Sequence, residues 1–117
     1  MNIEVYRDYC LSKKGVTESF PFDKSTLVFK VMNKMFALTD VDTFAFINLK
    51  CDPERAIELR EQYNGIKPGY HMNKRLWNSV YTNHDVTDKM MYELIDHSYQ
   101  LIVDSLPKKL KLELESL

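Results

Sequence analysis

Read as a string of apolar and polar positions, the chain changes period several times, and each change marks an element. Ile3, Tyr6 and Cys10, with Leu11, recur at helical spacing behind Asn2, a residue type that caps helix N-termini. Lys13, Lys14 and Gly15 supply the charge and the turn that end such a helix. Residues 16–24 read as a connection in which Phe20-Pro21-Phe22 covers apolar surface. The period then falls to two. Leu27, Phe29 and Val31 alternate along a strand over 25–32, Asn33-Lys34 fits a tight hairpin turn, and 35–39 returns. Asp40-Val41-Asp42 turns again, and 43–50 forms a third strand.

Three antiparallel strands need a layer over their apolar face. Asp52-Pro53 starts a helix, with an acid at the cap and proline at the first helical position; Ala56, Leu59 and Tyr63 form its inward stripe, and Asn64-Gly65 stops it. Pro68-Gly69 restricts the next strand to a short edge segment, whereas 76–82 reads as a firmer one. Thr87 caps the last long helix, Val86 and Met91 stand at staple positions, and Met91, Leu94, Ile95, Ser98, Leu101 and Ile102 make its buried stripe. Pro107 ends it. Beyond it, leucines alternate with Lys and Glu, while Leu110, Leu114 and Leu117 also fall at helical spacing, so a final helical turn and an edge strand both fit. The predicted order is α-β-β-β-α-β-β-α: a two-layer α+β fold with a mainly antiparallel sheet covered by helices, one domain over 1–117.

Composition narrows the function classes. The 44% apolar content suffices for one core, and a net charge of −1 argues against coating nucleic acid by bulk charge. Apolar runs are too short for a membrane span, and Glu4 and Asp8 stand where a signal peptide needs apolar residues. Cys10 and Cys51 are isolated, which suits reduced core thiols in a cytoplasmic protein. With three glycines and no phosphate-loop, dinucleotide or nucleophile-elbow motif, the chain carries no signature of a cofactor or a catalytic class. His71, His84 and His97 lack the spacing of a metal site. His97-Ser98-Tyr99 on one helix point about 100° apart in succession, so they do not converge as a nucleophile and base. Ser98 fits a small packing residue whose hydroxyl bonds the carbonyl one turn back, and Tyr99 a hydroxyl left wet or bonded to the segment described next.

One stretch departs from the rest. Residues 65–84, GIKPGYHMNKRLWNSVYTNH, hold Lys67, Lys74, Arg75 and the single tryptophan but no acid, so they sum to +3 against −4 for the remainder. Met32-Asn33-Lys34 and Met72-Asn73-Lys74 repeat one tripeptide, each at an expected hairpin tip. Trp77 reads first as a core anchor whose indole N–H bonds a backbone carbonyl, and alternatively as a stacking platform.

The segment YHMNKRLWNSV, followed downstream by His97-Ser98-Tyr99 and by Leu106-Pro107-Lys108-Lys109, resembles the MmcQ/YjbR family of small bacterial proteins. The resemblance implies a two-layer α+β fold comparable with secretion chaperones and with the frataxin-like fold. It also implies DNA binding through two β-hairpins arranged as a double wing. The candidate nucleic-acid surface is Lys34, Lys67, Tyr70, His71, Asn73, Lys74, Arg75 and Trp77. Three phosphate contacts predict a log–log salt slope near about −2.7, which is weak for a monomer, and the sequence carries no direct sign of a dimer. The expectation is a non-enzymatic protein that contacts DNA weakly. The alternative is a chaperone-like protein- or peptide-binding module, motivated by the leucine-alternating tail; a third reading, an enzyme, requires a pocket at His71 with a convergent acid.

Overall fold

The alternating segments pair into one antiparallel sheet. In the computed structural model, which describes residues 1–117, helix α1 (Ile3–Leu11) precedes strands β1 (Val16–Ser19), β2 (Thr26–Val31), β3 (Lys34–Asp40) and β4 (Phe46–Lys50). Helix α2 (Pro53–Gln62), strands β5 (Ile66–Pro68) and β6 (Trp77–Tyr81), and helices α3 (Asp88–Ser105) and α4 (Lys108–Glu115) follow. The six strands stand in the order β1-β2-β3-β4-β6-β5, with every pair antiparallel. No helix is long and apolar enough to cross a membrane.

The helices begin where the sequence places their caps. Asn2 Oδ1 accepts from the Val5 N–H at 2.8 Å, Asp52 Oδ2 from Arg55 at 3.2 Å, and Thr87 Oγ1 from Met90 at 3.1 Å. Each satisfies an amide that the first turn leaves without an intrahelical partner. The helices lie on one face of the sheet. Tyr6 and Cys10 of α1, Ala56 and Leu59 of α2, and Met91, Leu94, Ile95 and Ile102 of α3 meet Leu27, Phe29, Val31, Ile47, Leu49, Ile66 and Val80 in a single core.

Four expectations are corrected. Val16–Ser19 is a strand, not a connection: it pairs with β2 from Val16↔Val31 to Ser19↔Val28, and its short half-exposed alternation is what an edge strand needs. The first hairpin turns at Met32 and Asn33, whose φ of 49° and 69° are the two positive values of a two-residue turn, so Lys34 begins β3. Ser98 does not bond one turn back. Its hydroxyl accepts from the Lys50 N–H at 2.9 Å and donates to the Phe36 carbonyl at 2.5 Å, tying α3 to two strands. Tyr99 donates to the Lys14 carbonyl at 2.6 Å, away from residues 65–84.

The tail resolves as a helix. Leu114 is buried against Gly15, where a Cβ would sit 2.5 Å from Leu114 Cδ1; with φ at +74°, only glycine closes α1 here without strain. Lys14 Nζ donates to the Glu115 carbonyl at 2.9 Å, so the packing of one leucine, not the period, selects helix over strand.

His97 on α3 accepts from the Asp52 N–H at 3.2 Å, which docks the start of α2. Burial, and next the Arg55 charge, lower its pKa from the ordinary 6.5. Below that value the unfolded chain takes up a proton that the folded chain resists, so the stability held by neutral His97 is present at higher pH and lost on acidification. Replacing His97 by Gln keeps an acceptor and removes the titration. Urea unfolding between about pH 7 and about pH 5.5 is expected to show a shallower loss of stability in His97→Gln than in the parent; equal slopes contradict this role.

Candidate binding groove

The helices cover one face of the sheet only. Alternation puts Val28, Leu38, Asn48 and Ser79 in one row across β2, β3, β4 and β6 on the other face. Trp77 and Lys50 form a neighbouring pair, as do Phe46 and Tyr81. Val28, Leu38 and Trp77 make a small second cluster, with Met35, Met72 and Leu76 against it. A bulge in β3 assigns these sides: Phe29 pairs with Ala37 and Lys30 with Met35, so Phe36 is the extra residue. Phe36 and Ala37 both reach the main core, while Met35 packs in the second cluster.

A buried polar row on an otherwise apolar surface needs partners, and residues 69–76 supply them. The Ser79 hydroxyl donates to Asn48 Oδ1 at 2.5 Å and accepts from the Tyr70 N–H at 2.9 Å, and Asn48 Nδ2 donates to the Tyr70 carbonyl at 3.1 Å. This ring of three bonds fastens the Tyr70 backbone over the sheet. The adjacent His71 has a φ of 58°, a left-handed conformation that reverses the chain. Asn73 then turns it upward: its side-chain oxygen accepts from Arg75 and Leu76 at 3.0 and 3.2 Å.

Arg60 of α2 holds the same loop from the helix side. It donates to Asn78 Oδ1 at 2.6 Å, to the Trp77 carbonyl at 3.3 Å and to the Lys74 carbonyl. The close approach of Gly69 to Trp77 requires a missing side chain, because a Cβ there would lie 2.8 Å from the Trp77 Cβ.

The result is a groove of about 730 Å³ between this loop and strands β2 to β4. Phe46, Tyr70, Trp77, Leu38, Met35 and Met72 form its apolar lining, and Asn48 and His71 add polar groups. Phe22, Asp23, Thr26, Thr39 and Asp40 line the other end, and Asn73 completes the wall. Tyr70 meets Phe46 edge-on at 5.9 Å and His71 at 4.1 Å, and 57% of it is exposed. Two carboxylates belong to the lining and no Lys or Arg does. Hydrogen bonds from the Thr26 and Ser25 amides, and then from the Thr26 hydroxyl, hold the Asp23 carboxyl below its ordinary value, so it stays ionised.

The candidate residues fare unequally. Tyr70, His71, Asn73 and Trp77 come together in the groove. Trp77 is only 8% exposed, in line with an anchor, but its indole N–H makes no hydrogen bond within the chain. Lys74 is not a free tip residue: its ammonium donates to the Gly69 carbonyl at 2.8 Å. Arg75, Lys34 and Lys67 are exposed and none pairs with a carboxylate. Lys34 and Lys67 lie on strands three places apart, roughly 14 Å across the sheet. Residues 69–76 connect the antiparallel pair β5–β6 as a second hairpin but fold over the sheet instead of projecting a tip, so the two Met-Asn-Lys tripeptides take different conformations. His71 makes no bond to a carboxylate, His84 pairs with Asp85 at 3.1 Å, and no three metal-ligating side chains gather.

Sequence reading missed Phe22, Asp23, Met35, Leu38, Phe46, Asn48 and Met72. The signal was present in β2, where Val28 interrupts the alternation as an apolar residue on the supposed solvent face.

Comparison with known proteins fits this architecture. The sequence profile of the YjbR family matches residues 11–101. The chain is 34% identical to the uncharacterized protein YjbR of Escherichia coli K12 over 110 residues, 93% of each chain. It is 41% identical to the uncharacterized protein YbdF of Escherichia coli O157:H7 over 91 residues, 77% of this chain and 75% of that one. The crystal structure of Deinococcus radiodurans protein DR2400 superposes with a TM-score of 0.91 at 38% identity, over 97% of this chain and 88% of that one. A Pseudomonas syringae crystal structure gives 0.74 at 32% identity, over 86% and 98%.

The three-bond ring has a measurable weight. Ser79→Ala strips a partner from both the Tyr70 N–H and Asn48 Oδ1 in a dry setting, and is expected to lower unfolding free energy by about 2 kcal/mol in urea titration. An unchanged midpoint contradicts the assignment.

Proposed function

The chain belongs to the YjbR family, and on that premise we propose that it is a non-enzymatic binding protein whose groove takes an extended peptide segment of a partner. The observation that carries this reading is the unpartnered aromatic and methionine lining of a 730 Å³ groove. Sites for organic ligands are concave, largely apolar and of about 300–1,000 Å³. Exposed apolar surface of this kind marks an interaction site: Tyr70 and Phe22 stand at the rim, 57% and 65% exposed. From Met35 to Asp40 the wall runs roughly 15 Å, the length of about five extended residues. Methionines and rings pack adaptably against varied side chains. The tail docks as α4 through Leu114, and the open sheet face carries the unpartnered apolar surface.

A second reading, weak contact with DNA, is favoured by one observation: Lys34, Lys67 and Arg75 are exposed and free of carboxylates. Lys30 and Lys50 add charge near the Met35 and Trp77 end of the face. Phosphate binding there would involve the exposed edge and not the groove, whose own charges are acidic.

One titration separates the two. A Trp-free degenerate library of N-acetylated pentapeptides is followed by emission of Trp77, the single tryptophan, and by amide NMR shifts, beside a parallel titration with duplex DNA. The peptide reading predicts saturable shifts at Phe22, Met35, Leu38, Tyr70 and Trp77 that Tyr70→Asp abolishes while leaving circular dichroism intact. The DNA reading predicts binding with a log–log salt slope near about −2.7 that Lys34→Glu and Arg75→Glu remove. Peptide shifts absent or elsewhere on the surface overturn the first reading; no DNA binding at low salt overturns the second.

A further inference from the structure

The groove is electrically lopsided. At the end where β2 begins, Asp23 and Asp40 line it, and Thr26, which accepts no cation, stands between them: its N–H and hydroxyl donate to Asp23 at 2.6 and 3.1 Å, and its strand partner is Asp40. Asp42 joins them by accepting from the Ser25 hydroxyl at 3.0 Å. None of the four ion pairs in the molecule involves Asp23, Asp40 or Asp42, and Lys24 in the same loop bonds to none of them. Three neighbouring carboxylates, none of them ion-paired and together outnumbering Lys24, set up a negative potential at one end of a partly enclosed apolar channel. At the other end Lys50 stands opposite Trp77 and Lys30 opposite Met35 on the same face. A bound cation is therefore attracted to the first end and repelled from the second.

Between the ends, Leu38 and Asp40 project from one face of β3, two residues and about 7 Å apart. An extended peptide repeats its side-chain direction with the same period. Resting on the peptide-binding reading above, we propose that the groove selects a segment in which a lysine or arginine lies two residues from an apolar side chain. The apolar group sits over Leu38 and Trp77, and the cation sits between Asp23 and Asp40. The rings of Phe22, Phe46 and Tyr70 along the path accept a guanidinium face as well as an alkyl chain. An acidic segment in the same register meets carboxylates.

The probe is the peptide acetyl-Ser-Arg-Ser-Phe-Ser-amide, compared with its Gln and Glu counterparts at the Arg position and read by Trp77 emission and amide NMR shifts. The Arg peptide is expected to bind roughly fivefold more tightly than the Gln peptide, the scale of one or two exposed charge contacts, and the Glu peptide weakest. The double variant Asp23→Asn, Asp40→Asn keeps oxygen acceptors for the turn amides and removes the charge. It is expected to bind the Arg and Gln peptides alike. Equal affinity of the parent for Arg, Gln and Glu peptides overturns the cation selection and leaves the peptide groove standing. Absence of binding by all three overturns both.

Discussion

Two polar side chains on the open face of the sheet set the course of residues 69–76. Asn48 and Ser79 are side by side on strands β4 and β6, buried, and turned away from the helices. Unpaired, they would cost several kcal/mol of lost hydration between them. They are satisfied because the backbone of Tyr70 is laid across them, donating to one and accepting from the other. That demand brings residues 69–76 back over the sheet. With the loop in place, Met72 and Trp77 close on Val28 and Leu38, and the space left beneath the Tyr70 ring becomes a groove. Arg60 reaches around the end of β6 to the carbonyls of Lys74 and Trp77 and keeps the loop from lifting.

Much of this was readable from the chain, and what was not has physical reasons. Helix starts were legible because Asn2, Asp52 and Thr87 cap through their own side chains, a local effect. The face carrying Leu27, Phe29 and Val31 was legible from alternation. Strand β1 was not, because its four residues take their conformation from pairing with β2 rather than from an apolar face of their own. The tail was ambiguous because Leu-Lys-Leu-Glu-Leu satisfies two periods, and only the position of Gly15 decides between them. The second hairpin forms from β5 and β6 as expected, but its connection is no tight projecting tip: the eight-residue return is set by Arg60, Asn48 and Ser79, distant in sequence. Half of the candidate residues do converge: Tyr70, His71, Asn73 and Trp77 were picked for their chemistry and meet in the groove. The four cations were picked for charge density along the chain, which does not translate into density in space: Lys74 is spent on Gly69, and Lys34 and Lys67 are strands apart.

The functional picture inverts accordingly. A window that is cationic in sequence contributes mostly its neutral and aromatic members to the concave surface, while the acids of that surface come from the segment before β2 and the last residue of β3. Charge counted along a chain sums residues that fold away from one another; a groove samples only those that face it. Membership in the YjbR family and the close superposition on DR2400 fix the scaffold, and a scaffold of this kind hosts whatever its open face is lined to receive.

The whole account rests on the Tyr70 amide being locked to Ser79 in solution. Native-state hydrogen exchange resolved at single amides tests it directly. The account predicts that the Tyr70 amide, although the residue is 57% exposed, exchanges at least about a hundredfold more slowly than the amide of exposed Lys74. Exchange of Tyr70 at the rate of Lys74 would mean that the loop stands open and that no groove exists.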